Sequence, residues 1–227
     1  MTEDELFDFV QPLYDDLNAI GIRANNSRPA PASNWGSAGA AGDGTGDAPG
    51  SSRFASRLFP RANFEEPLLF AATQRAFRES VEAGYTFHGI HVAPTDAVGG
   101  SPGGADNAVS PAFRAAVMHA DLFDRTRLAG LSPAAFDAAH ACLDAQMQKW
   151  RAASPGSGAY FNEADLQEPD WQSAFFGAKY DALRQIKRAI DPWGLFYAPA
   201  TVGSEDWVVG VADGLPSQNG PLCRASL

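Results

Sequence analysis

The chain has 227 residues, 45% of them hydrophobic, enough to bury a sizeable core and too many for wholesale disorder. Its formal charge of −10 repels phosphate backbones and anionic lipid, so nucleic acid and membrane surfaces are not expected as partners. No apolar run approaches the ~20 residues that span a bilayer, and two cysteines, Cys142 and Cys223, are too few for a disulfide scaffold.

The start, MTEDELFDFV, lacks the basic and apolar regions of a secretion signal, which predicts a cytoplasmic product. Thiols there stay reduced as a rule, although a single Cys142–Cys223 bridge is left open. Thr2 followed by Glu5 reads as a capping box, in which each side chain satisfies a free backbone N–H at a helix start. Leu6, Val10, Leu13, Leu17 and Ile20 then line one helical face, and Gly21 is placed to end it. A stripe this regular calls for something to pack on.

From Ala24 to Ser52 the composition turns to Gly, Ala, Ser, Asn and Pro, which predicts a flexible loop. Its centre, GSAGAAGDGTGDAPG, lacks the Gly-Lys-Ser/Thr ending of a phosphate loop and puts Asp43 and Asp47 where an anion would sit. Next come Arg57 and Arg61, either orienting an anionic substrate group or simply solvated near Glu65 or Glu66. A helix is predicted over 64–82, with Phe70, Thr73, Phe77 and Val81 on one face, and a strand over 85–92. His88 and His91 on that strand point to opposite faces and cannot share a metal, so each is expected to make a lone polar contact.

A second Gly/Pro loop, 94–105, leads into a stretch, 107–123, whose pattern leaves strand and helix open. Ser132-Pro133 predicts a cap and first helical residue, followed by an apolar stripe of Phe136, His140, Leu143, Met147 and Trp150. His140 on that face reads as a satisfied core histidine. A further helix runs from Trp171 past Tyr180 and Ile190 until Asp191-Pro192 stops it, with Lys187 and Arg188 in its last turn.

The stretch from Tyr160 to Trp207 is the richest in aromatic and acidic residues. It has no nucleophile elbow, no Cys–His pair and no H-E-x-x-H. Glu163, Asp165, Glu168 and Asp170 suggest a hard-metal site, but their spacing misses the calcium-loop pattern, and helix capping and solvation account for them. No metal ligand is assigned.

Read together, Y-F-N-E-A-D, E-P-D-W-Q, F-F-G, Y-x-x-L-x-x-I-K, D-P-W-G-L-F-Y and V-G-S-E-D-W resemble the C-terminal signature of the berberine-bridge-enzyme-like oxidases. These are FAD-linked members of the vanillyl-alcohol-oxidase superfamily, and the likeness is nearest to their fungal branch. The segments SRLFPR and NAVSPAFRAAVMHA and the tail PLCRASL resemble further motifs of that branch, so the likeness covers roughly 52–227.

The resemblance implies an α+β fold, an antiparallel sheet covered by helices, without the N-terminal FAD-binding domain. Residues 1–158 would form a partial substrate domain with Gly/Pro-rich loops, and 159–227 a C-terminal segment that returns to the flavin site. It implies that Tyr160 and Asn162 contact the flavin, that Glu163 stands where plant members carry a tyrosine base, and that Lys179 replaces an asparagine contact after F-F-G. The implied activity is hydride transfer from a small organic alcohol or amine to flavin, with O₂ as acceptor. The flavin would be FAD, bound only if a separate FAD-binding half completes the site; full-length relatives are often secreted. The histidine that attaches the flavin has no matching context here, so a truncated or split oxidase is expected, the alternative being a catalytically silent remnant or interaction module.

Overall fold

A computed structural model describes residues 2–26, 53–93, 107–124, 131–210 and 220–225. The two glycine-rich loops, with Asp43 and Asp47, lie outside these residues. The chain divides into two compact units, Met1–Gly46 and Asp47–Leu227.

The first unit carries helix α1, Glu3–Ala19. Its capping box forms as the sequence predicts: the Thr2 amide donates to Glu5 Oε2 at 2.7 Å, and the Glu5 amide to Thr2 Oγ1 at 3.2 Å. Gly21 follows with φ 90°, a left-handed conformation suited to glycine at a helix end.

In the second unit, strands β1 (Arg53–Pro60), β2 (Thr86–His91) and β3 (Ala116–Asp124) form one antiparallel sheet in the order β1-β3-β2. The stretch that read as strand or helix is both. Ser110 caps a short helix, α4 (Pro111–Ala115), with its oxygen accepting from the Ala112 amide, and the backbone turns extended at Ala116. The helix expected over 64–82 is split into α2 (Ala62–Glu65) and α3 (Pro67–Glu82). The break falls at Glu66, which is extended with φ −90° and ψ 120°, because the ring of Pro67 crowds the helical conformation of the residue before it.

The pleat sends alternate residues to opposite faces. Ala55, Phe59, Met118, Ala120 and Leu122 meet α3 and α5 (Pro133–Ala153), the latter capped by Ser132 as predicted. Trp150 of α5 is the centre of this layer. Its ring lies edge-on to Phe59 and Phe77 at 5.8 and 5.0 Å, and its indole N–H donates to Ser80 Oγ at 3.0 Å. Full burial of side chains such as Phe59, Leu122 and Leu143 contributes about 1.5–3 kcal/mol each. On α3 the buried residues are Thr73, Ala76 and Ser80, while Phe70 and Val81 are exposed, so the packed face is rotated from the expected stripe. Small residues win there because Phe59, Phe77 and Trp150 already fill the space between helix and sheet.

Arg57 is not the solvated cation that its sequence neighbours suggest. It is buried, its Nε donating to Ser154 Oγ at 2.8 Å and its Nη2 to Ser154 O at 2.9 Å. Burial lowers its pKa, with Glu168 opposing that shift. Arg61 does pair with Glu65 on the surface, at 3.2 Å.

The C-terminal part holds α6 (Trp171–Phe176), α7 (Tyr180–Ile190) and a two-stranded ladder of β4 (Trp207–Val209) and β5 (Leu222–Arg224). Asp191 ends α7 and accepts from the Leu195 and Phe196 amides at 2.8 and 3.0 Å as well as from Lys187. The turn it closes leaves Trp193, Leu195 and Phe196 exposed. Cys142 and Cys223 are both free. Among the described residues no helix is long and apolar enough to cross a membrane.

Candidate functional site

Opposite the helices, the second face of the sheet carries a polar group. In the register, His119 on β3 lies between Leu58 and Ile90, and Asp121 between Ser56 and His88. His119 and Asp121 are two residues apart on one strand, so both side chains project on this face. They are 3% and 2% exposed, a depth at which polar groups need partners.

Those partners come from the segment after α5. Residues 157–160 run beside β1, with the Leu58 amide donating to Gly158 O at 2.8 Å and the Tyr160 amide to Ser56 Oγ at 3.2 Å. Gly158 is required by this approach: a Cβ there would stand 2.3 Å from the Ala174 carbonyl oxygen. The chain then makes a 3₁₀ turn at Phe161–Glu163. This turn places Glu163 Oε2 2.6 Å from His119 Nε2, while Asp121 Oδ1 lies 3.1 Å from the same nitrogen. Burial works against the charged imidazole, but the nearby carboxylates of Asp121 and Glu163 outweigh it, so the His119 pKa is raised.

Tyr160 closes the group as an aromatic wall, its ring edge-on to His119 at 5.2 Å and tilted against Phe113 at 5.0 Å. Asn162 Nδ2 donates to the Tyr160 hydroxyl at 3.1 Å. Beside Glu163 and Asp121 opens a cleft of about 290 Å³, completed by Phe54, His88, Ile90 and Phe123. The Phe54 and Phe123 rings stack at 5.4 Å. Two buried atoms of the group, His119 Nδ1 and Asp121 Oδ1, have no hydrogen-bond partner among the described residues.

Of the residues singled out in the sequence, Tyr160, Asn162 and Glu163 come together here. The Lys179 ammonium donates to the backbone carbonyl of Asn107, ahead of α4. His88 faces Asp121 across β2 and β3 at 3.7 Å, and His140 pairs with Asp165 at 2.7 Å as a satisfied histidine. The acidic run is not mainly capping and solvation. Glu163 binds His119, Asp165 binds His140, and Glu168, 5% exposed, binds Arg151 at 2.9 Å. Asp170 begins α6 without a side-chain capping bond. His119 and Asp121 escaped sequence reading, since H-A-D is a same-face pair only once 107–123 is known to contain a strand.

Known proteins resemble this chain, and a family model matches the segment that carries part of the site. The family described as Berberine and berberine like matches residues 159–203. The FAD-linked oxidoreductase patO of Penicillium expansum is 37% identical over 147 residues, 63% of this chain and 23% of that protein. The FAD-linked oxidoreductase ZEB1 of Gibberella zeae is 32% identical over 78% of this chain and 28% of its own length. The chain thus spans about a quarter of the curated relatives it matches. In three dimensions 99% of the chain superposes on 39% of the crystal structure of the VAO-type flavoprotein MtVAO615 from Myceliophthora thermophila C1, with 26% identity and a TM-score of 0.69.

Proposed function

Since the chain belongs to the berberine-bridge-enzyme-like flavoproteins of the VAO type, we propose that its open sheet face is the substrate-side wall of a flavin site in an FAD-linked oxidoreductase. A separate FAD-binding part would complete that site. The observation that carries this reading is the convergence of Tyr160, Asn162, Glu163 and His119 beside one cleft, since all but His119 come from the segment that matches the family.

The residues fit the ring end of such a cofactor. A flavin ring has an aromatic face and a polar edge, and the group offers an aromatic wall in Tyr160 and Phe113. It adds an amide in Asn162 and a buried imidazole nitrogen, His119 Nδ1, that lacks a partner. When bound, the flavin would supply the hydride acceptor for oxidation of a small organic alcohol or amine and pass the electrons to O₂. The chain's own residues do the rest. Phe54, Phe123 and Ile90 shelter an apolar substrate body from water, and Tyr160 and Asn162 fix the cofactor edge. Glu163 takes the substrate proton at a carboxylate oxygen held in place by His119 Nε2. Lys179 is retained as a cofactor contact in this proposal.

The test is a visible spectrum of the purified chain, alone and after co-expression with an FAD-binding half from a relative such as ZEB1. Flavin absorption that co-purifies with the pair supports the reading. Colourless protein in both samples overturns it and leaves a non-catalytic interaction module.

A further inference from the structure

The group around His119 has more acceptors than donors. Two carboxylate oxygens, Glu163 Oε2 and Asp121 Oδ1, approach one nitrogen, His119 Nε2, at 2.6 and 3.1 Å. That nitrogen carries at most one hydrogen. Its bond goes to Glu163, and Asp121 Oδ1 is left buried without a donor. Adding a second proton to the ring does not help, because it enters at Nδ1, on the far side of the imidazole from both carboxylates. A buried carboxylate oxygen left without a donor loses its hydration with nothing in exchange.

We propose that His119, Asp121 and Glu163 form a three-ligand site for a divalent transition-metal cation of the zinc or manganese class. A cation in place of the Nε2 proton serves both carboxylates and the imidazole at once. The three donor atoms already lie within 4.8 Å of one another. Tetrahedral zinc with bonds of about 2.0–2.1 Å separates its ligands by roughly 3.3 Å. The 3.1 Å spacing between His119 and Asp121 nearly matches that, and the 2.6 Å spacing to Glu163 must open by about 0.7 Å. Glu163 can give that distance because its side chain is 45% exposed and hangs on a short turn, whereas His119 and Asp121 are locked in the sheet.

The donor set is one imidazole and two carboxylates, which suits zinc, manganese or iron(II) better than calcium or magnesium. A fourth position faces the cleft, where His88 stands 3.7 Å from the other Asp121 oxygen. If Glu163 acts as proposed above, a bound cation takes that carboxylate away from substrate. The site then works as a metal-operated brake on the same cleft. Only this last consequence rests on the flavin reading; cation binding does not.

The experiment uses the chain without flavin and without a histidine tag, in a Cys142→Ser/Cys223→Ser background so that exposed thiols cannot capture metal. Titration with zinc chloride and with manganese chloride is followed by calorimetry and by thermal midpoint. The expected result is one equivalent of cation bound, a raised midpoint, and binding weakened by more than about tenfold in Glu163→Gln and in Asp121→Asn. His140→Gln, which lies in a different ion pair, should leave binding unchanged. Because Asp121→Asn removes a buried group and the variant could misfold, a second measurement needs no substitution. Manganese should broaden the NMR signals of the amides near His119, Asp121 and Glu163 ahead of all others. No binding at millimolar metal, or broadening spread evenly over surface carboxylates, overturns the proposal.

Discussion

The His119 imidazole, on a strand, reaches the Glu163 carboxylate, on a turn 44 residues later, at 2.6 Å. This bond joins the open sheet face to the segment that carries the family likeness, and it fixes the position of the carboxylate beside the cleft. In any preparation of the chain that carries flavin, Glu163→Gln should keep substrate affinity and lower turnover by about 10²–10⁴-fold. Steady-state kinetics would check this. An unchanged turnover number would remove Glu163 from the chemistry.

Gly158 is where the site segment passes tightly against α6. Gly158→Ala places a methyl carbon against the Ala174 carbonyl, and relief requires the 157–160 segment and α6 to move apart. A loss of about 1–3 kcal/mol in stability is expected. Chemical denaturation measures that loss, and a shift of the Tyr160 and His119 NMR signals would locate it.

Asn63 is buried and donates to Thr73 Oγ1 at 2.7 Å and to the Ala153 carbonyl at 2.8 Å, tying the α2 turn to α3 and α5. Asn63→Ala strands both acceptors away from water. The expected cost is about 2–3 kcal/mol, while Asn63→Asp should be no better, because a carboxylate cannot donate to either oxygen. Urea midpoints of the two variants check the pair.

Ala200 has φ 54° and is buried, a left-handed conformation in which a Cβ crowds the following carbonyl. Ala200→Gly removes that strain but frees the unfolded chain. The balance should raise stability by a few tenths up to about 1 kcal/mol, read as a higher thermal midpoint. A lowered midpoint would mean that the lost methyl contacts outweigh the strain.

Acid should open the turn after α7. The Asp191 pKa is lowered chiefly by its hydrogen bond from Lys187, which together with the Phe196 and Leu195 amides outweighs the opposing effect of burial. A carboxyl whose folded pKa lies below its unfolded value of about 3.9 contributes stability above that value and loses it as pH falls through the folded pKa. Fluorescence of Trp193, on the turn itself, should therefore change below the ordinary aspartate range. Asp191→Asn should lose that acid dependence, and a variant that retains it would refute the assignment.

Local structure was legible in the sequence wherever neighbours along the chain decide it. Thr2 with Glu5, Ser132 with Pro133, and Asp191 with Pro192 each marked a helix end, and each marks it in the structure. The 64–82 stretch shows the limit. Its helical period holds, but the packed face is rotated from the apolar stripe, and Pro67 acts on the residue before it and splits the helix at Glu66. Tyr160, Asn162 and Glu163 were found through a resemblance between sequences, while the character of the acidic run was misjudged. Asp165 and Glu168 take their partners, His140 and Arg151, from α5, and no spacing rule reports such contacts.

By itself, then, the sequence determined the helix ends named above, the strand at Thr86–His91 and the family that the final third resembles. Those features depend on residues a few positions apart, whose steric and hydrogen-bonding preferences act before the chain is compact. Only the tertiary structure decided that His119 and Asp121 belong to the site and that Arg57 is buried. Antiparallel register sets those facts, since it aligns β1, β2 and β3 and turns one side of each to the helices and the other to the cleft. Register is a long-range property: a slip of one residue would exchange the two faces, and with them the core and the chemistry.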